Sequence, residues 1–122
     1  MFILKKLFLR KPKTALCGKW HRHWESSLKY QGGSETICFK SDGRFKITLI
    51  EFYENEKFKA TERGNYVFSP EEGTATLTFD GGALSAHPKG DTESWENIRI
   101  TLDNLEFNDE CNQFWHYTKM NR

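Results

Sequence analysis

The chain is short of the features that would announce a chemistry. It has three cysteines, Cys17, Cys38 and Cys111, an odd number with no Cys-x-x-Cys spacing. A disulfide framework or a structural zinc site is therefore not expected, and free thiols suit a reducing compartment. No G-x-S-x-G, P-loop or H-E-x-x-H motif occurs. Cys38 sits between Ile37 and Phe39 and reads as structural, while Cys111 lies beside acids that would keep its thiol protonated. These gaps argue against an enzyme and leave no cofactor to expect.

Long apolar runs are missing too. Phe2-Ile3-Leu4 and Leu7-Phe8-Leu9 are split by Lys5-Lys6 and followed by a basic run. That is the wrong order for a signal peptide and too short for a membrane-spanning helix. A cytoplasmic location is the expectation, with membrane-surface association as an option. Net charge is only +1, but residues 1–13 hold Lys5, Lys6, Arg10, Lys11 and Lys13 and no acid. Removing those five leaves 13 basic residues against 17 acids, a body of about −4. Such a body lacks the basic stripe that phosphate neutralisation needs, so nucleic acid is not an expected partner. The basic N-terminal arm reads either as a short helix or extended segment packed on the domain, or as a stretch, residues 2–13, touching an anionic membrane surface or an acidic partner.

What is present is aromatic and alternating. In 122 residues, 15% are aromatic, ten of them Phe, and 29% are charged. One core is the expectation at this size. After residue 16, short alternating runs are separated by turn signals every eight to twelve residues, a pattern of all-β sandwiches and barrels. Residues 18–28 alternate aromatic and polar; YQGGS (30–34) reads as a turn. SETICFK (34–40) places Ile37 and Phe39 on one face, and Ser41-Asp42-Gly43 is a hairpin signal. In 43–52, Phe45, Ile47 and Leu49 point inward until Ile50 and Phe52 take over the stripe, which predicts a bulge or bend. Gly64, inside a strand over 57–69, predicts a bulge or a close backbone approach. Residues 73–80 place Ala75, Leu77 and Phe79 on one face. Residues 81–93 form the longest loop, a candidate element for gating or partner contact. Ile98, Ile100 and Leu102 share a face in 94–102, residues 105–107 follow a turn, and 113–120 is the terminal strand. No helical period appears after residue 16.

About eight sequential antiparallel strands hide their edges best by closing into an up-and-down barrel. A sandwich is the alternative, although only 81–93 could serve as a crossover. Several segments resemble the lipocalin-like (calycin) barrels, especially the compact bacterial domains. They are Gly18-Lys19-Trp20 for a Gly-x-Trp opening, Phe39 followed by Asp42-Gly43, Gly64-Asn65-Tyr66, Leu77-Thr78-Phe79, Leu102-Asp103-Asn104-Leu105 and Tyr117-Thr118-Lys119. Avidin-like barrels, which also open with Gly-x-Trp, are the nearest alternative. The expected organisation is a basic arm over 1–15, read from its charge, and a single lipocalin-like antiparallel barrel over 16–122, of which the resemblance spans roughly 16–120. The resemblance implies that Trp20 packs at the closed end, covered by a basic side chain from a late strand, Lys119 or Arg122.

The resemblance further implies binding of a small hydrophobic or amphipathic ligand, or of a protein. The candidate ligand contacts are the inward aromatics and one cation: Trp20, Arg22, Trp24, Phe39, Phe45, Tyr66, Phe79 and Tyr117. Alternation places Trp20, Arg22 and Trp24 on one face and His21 and His23 on the other. An inward Arg22 needs a partner, either an acid such as Glu62 or an anionic ligand head group. His21, His23 and His116 are weak candidates for a metal site, because first and last strands meet in a closed barrel; surface histidines are the plainer reading. The leading expectation is non-catalytic ligand binding in the barrel. The alternative is an inhibitor or immunity-type module that engages a partner with its loops around a filled barrel.

Overall fold

The computed structural model describes residues 13–25, 30–54, 56–83 and 85–120. Residues 2–12 of the arm and Arg122 lie outside them. A 3-10 turn, Lys13–Leu16, precedes eight strands: β1 Gly18–Trp24, β2 Tyr30–Phe39, β3 Arg44–Tyr53, β4 Glu56–Ser69, β5 Thr74–Phe79, β6 Thr92–Ile100, β7 Asn104–Asn108 and β8 Phe114–Lys119. Each pairs antiparallel with the next, and β1 pairs with β8 to close the barrel. This is the all-β, up-and-down barrel that the alternation predicts. No helix among the described residues is long and apolar enough to cross a membrane.

The strand period puts one stripe of each strand inside. Trp20, Ile37, Phe39, Phe45, Leu77, Phe79, Leu105 and Phe107 are each at most 2% exposed. Closure is uneven. The β1–β8 seam has only two paired positions, Trp20 with Lys119 and His21 with Thr118. It lies at the end that carries the 3-10 turn, and that end is packed solid. There Leu16 and Trp20 are fully buried, and the Trp20 Nε1–H donates to the Leu16 carbonyl at 2.8 Å. Lys119 Nζ sits 4.5 Å from the Trp20 ring and donates to the Cys17 carbonyl at 3.0 Å. Lys119 is thus the cover that the sequence left open between two residues. Gly18, at φ +124°, makes room for it: a Cβ there would lie 2.6 Å from Lys119 Nζ.

Three expectations need correction. Residues 30–34 are not a turn but the start of β2, whose register shifts between Tyr30 and Gly32. The two glycines belong to that irregularity, because a side chain on Gly33 would strike the Trp24 ring. The phase change in β3 is no bulge: its register with β4 runs unbroken from Arg44–Asn65 to Tyr53–Glu56. Ile50 lies on the outer face, and Phe52 is 41% exposed, so a long β3–β4 hairpin carries apolar residues past the core. Leu102 does not continue the Ile98–Ile100 stripe; β6 ends at Ile100 and Leu102 is 88% exposed. Trp95 takes that place instead. The extra residue in β6 between Glu96 and Arg99, with Asn97 at φ +55°, brings Trp95 onto the inner face with Ile98. Of the two options for Gly64, the structure has the close approach. β4 keeps its register there, and a Cβ would collide with the Thr78 carbonyl and the Phe45 ring.

Candidate functional site

An up-and-down barrel sends alternate hairpins to opposite ends. The connections β1–β2, β3–β4, β5–β6 and β7–β8 therefore gather at the end away from Trp20. At that end the packing stops short and leaves a cavity of about 270 Å³. Its apolar wall includes Ile37, Ile47, Leu49, Phe79, Trp95, Phe107 and Trp115. Trp95 and Phe107 stack flat at 3.7 Å and together form one side of this wall.

The polar groups of the cavity form three sets. In the first, Arg22 faces its cross-strand partner Glu35. Arg22 Nε donates to Glu35 Oε1 at 2.8 Å, and the Tyr117 hydroxyl donates to the same oxygen at 2.9 Å. The guanidinium lies between two indoles, 4.4 Å from the Trp24 ring and 4.5 Å from Trp115. Directly opposed residues on paired strands share a face, which is why this contact is built into the register. Burial, and then the Glu35 charge, push the Tyr117 phenol well above its ordinary range, so it acts as a fixed donor. The Trp115 N–H donates to Asp109 at 2.9 Å, tying the sandwich to the β7–β8 turn. That bond, with the backbone N–H groups of Gln113 and Cys111, lowers the Asp109 pKa.

The second set is the β5–β6 loop. β5 pairs only with the Gly64–Ser69 half of β4, so the inner face of the other half lacks a strand beside it. The loop fills the gap. Glu62, 9% exposed, accepts from the Ser85 hydroxyl and from the Ala86 N–H, the latter at 2.8 Å. His87 stacks on Phe79 at 3.9 Å, and its Nδ1 lies 2.7 Å from Asp91. Ala86 and His87 form part of the cavity wall. The third set is Glu93 and Trp95 on β6. Burial raises the Glu93 pKa; the Trp95 indole and His87 oppose the shift, while Glu110 and Glu35 add to it. The Trp95 Nε1 is buried and faces the Glu93 carboxylate, but has no acceptor within 3.5 Å.

Of the sequence-derived contacts, Arg22, Phe79 and Tyr117 line the cavity, and Trp24 covers Arg22 at its rim. Trp20, Phe39 and Phe45 do not line it; they pack the closed half, with Phe45 edge-on to Phe79 at 5.3 Å. Tyr66 belongs there too. It packs edge-on to Phe39 at 4.8 Å, and its hydroxyl donates to the Lys40 carbonyl at 2.6 Å. Burial and the neighbouring Cys17, 3.5 Å away, push its pKa up. The partner of Arg22 is Glu35, not Glu62. Glu35, Glu93, Trp95, Phe107, Trp115 and His87 were missed as cavity residues. For Glu35 the signal was in the sequence: it precedes Ile37 and Phe39 by two and four positions and so shares their face.

The three histidines do not converge. His21 Nδ1 is 3.2 Å from the Thr36 hydroxyl, and its ring lies 5.9 Å from that of His23. His116 Nε2 pairs with Asn104 at 2.7 Å. Among the described residues no group of three or more His, Cys, Asp or Glu side chains is arranged to hold a metal.

Fold and site together define a small closed β-barrel, packed solid at one end and hollow at the other, an architecture consistent with the calycin-like fold. The chain matches no protein-family model and no curated protein.

Proposed function

We propose that this protein is a lipocalin-like binding protein that holds a small amphipathic ligand in the hollow end of its barrel without transforming it. The observation that carries the reading is the 270 Å³ cavity, with aromatic walls and convergent polar groups. Sites for small molecules are typically concave, mostly apolar and fitted with a few placed polar groups. At about 30 Å³ per water, the space equals about nine waters, room for a ligand of roughly ten non-hydrogen atoms. The polar groups are held by one another: Glu35 by Arg22 and Tyr117, Glu62 by the loop, His87 by Asp91. Groups fixed in this way are preorganised to receive a ligand.

A second reading, a protein-interaction module, is favoured by the exposed Phe52, Tyr53 and Phe58 on the β3–β4 hairpin. Native mass spectrometry of protein purified from its own host separates the two. A bound small mass that leaves on denaturation supports the ligand reading. A ligand-free mass with a co-purifying protein supports the module.

A further inference from the structure

We infer that the ligand of this cavity is a small organic cation, a protonated amine on an aromatic or otherwise apolar body, recognised by Glu62 and Glu93. The inference rests on the barrel-binding reading above and names its ligand class. Three carboxylates, Glu35, Glu62 and Glu93, line the cavity against one arginine. Arg22 is already engaged: its Nε bonds Glu35 and its faces are covered by Trp24 and Trp115. An anionic head group would meet a neutralised cation and two carboxylates, so the anion-anchor role that the sequence allowed for Arg22 does not fit the surroundings.

The cavity wall holds one arginine and no lysine, and that arginine, Arg22, bonds Glu35 rather than Glu62 or Glu93; the basic group facing Glu93 is the His87 imidazole, itself paired with Asp91. Glu62 is nine-tenths buried and is held in place by a hydroxyl and a backbone N–H rather than by a cation. A carboxylate taken out of water without a counter-charge is costly, and a ligand ammonium supplies that charge. The approach has the same sign. The groove that adjoins the cavity at His87 and Glu93 is lined by Asp91, Asp109 and Glu110, again without lysine or arginine. Clefts lined by one sign of charge concentrate the opposite ion.

The second observation is Trp95, whose indole faces Glu93. Its side chain lines the cavity, is 2% exposed, and has a buried N–H with no acceptor within 3.5 Å. Buried donors in folded proteins are nearly always closely paired, so the chain alone leaves the wall beside Glu93 under-satisfied. The aromatic walls add attraction for an alkylammonium that faces them.

The test is isothermal titration of the full chain with three probes of nearly equal size: tyramine (cationic), 4-ethylphenol (neutral) and 3-(4-hydroxyphenyl)propionate (anionic). Tyramine is expected to bind at least about tenfold tighter than 4-ethylphenol, and the propionate weakest of the three. Glu93→Gln and Glu62→Gln are each expected to weaken tyramine about tenfold and leave 4-ethylphenol within about twofold. Glu62→Gln could release the loop, so Glu93→Gln carries the comparison if the Glu62 variant is misfolded. Equal binding of the neutral and cationic probes, or tighter binding of the anion, overturns the cation inference and leaves the barrel-binding reading standing. If none of the three probes binds, and protein from its host carries no small mass, both readings fail together.

Discussion

The barrel holds a cation over tryptophan at each end, and the two arrangements do different work. At the closed end Lys119 lies over Trp20, its ammonium takes the Cys17 carbonyl, and the indole N–H takes Leu16. Every polar atom named there has a partner from the chain, and Trp20 is fully buried. At the open end Arg22 lies between Trp24 and Trp115, but all around it the accounts stay unbalanced. Two carboxylates line the wall without a lysine or arginine bonded to them, one buried indole N–H has no acceptor within 3.5 Å, and a 270 Å³ space remains. One end satisfies the polar groups it buries; the other leaves some of them for a guest. A fold that puts stability at one end can tolerate unmet chemistry at the other.

The largest expected effect tests the closed end. Trp20→Ala should cost about 3–5 kcal/mol, the usual range for truncating a fully buried aromatic. Trp24→Ala, at the half-buried rim, should cost about 1 kcal/mol, mostly the loss of one face of the Arg22 sandwich. Urea titrations of the two variants against the parent measure both. Equal losses would erase the division between the ends.

The next effect is at the mouth. Arg22→Met should cost about 2 kcal/mol, because Glu35 is left with only the Tyr117 hydroxyl to meet its charge. Full burial would make the loss larger, but the pair keeps 24% and 14% of its side-chain surface in solvent. Adding Glu35→Gln to Arg22→Met should return about half of the loss. A double mutant no better than the single would mean that Arg22 acts by packing alone. Lys119→Met should cost less, about 1 kcal/mol, since methionine keeps the apolar stem over Trp20 and loses the charge.

The contrast between the ends also separates what sequence reveals from what it does not. The closed end was legible. Gly18-Lys19-Trp20, strict alternation in β1, β5 and β8, and the Asp42-Gly43 turn are local signals, and the structure follows each. Lys119 could be named beside Arg122 because the resemblance to lipocalin-like barrels implies a basic side chain from a late strand over the opening Trp. The open end was not legible, for three local reasons. The Gly32-Gly33 pair reads as a turn, since flexibility looks the same whether a chain reverses or merely lets an indole pass; that cut β2 short at residue 34 and hid how far it runs beside β1. One extra residue at Asn97 moves Trp95 and Glu93 to the inner face, against simple alternation from Ile98. Glu62 meets the β5–β6 loop rather than Arg22, and where an irregular loop lands is not written in any period. Nor does a count of aromatics give a cavity: Trp95, Phe107 and Trp115 line a space that their number alone would suggest is filled.

The smallest effect sharpens the comparison most, because its sign is opposite. Burial raises the Glu93 pKa above its ordinary 4.5 in the folded state. The folded chain then binds that proton more tightly than the unfolded chain, so stability falls as pH rises from about 4.5 through the folded value. Glu93→Gln should match the parent near pH 4, where both side chains are neutral. At pH 7 it should be more stable, by about 1 kcal/mol or less, since the charge is only half-buried. Urea midpoints at the two pH values read this directly. The groups facing Glu93 (Trp95, His87, Glu110 and Glu35) remain in the variant, so the difference isolates one carboxylate. A variant less stable at both pH values would make Glu93 a structural residue like those at the closed end. A variant that gains stability at neutral pH and loses the cationic probe would show the exchange between stability and binding at a single side chain.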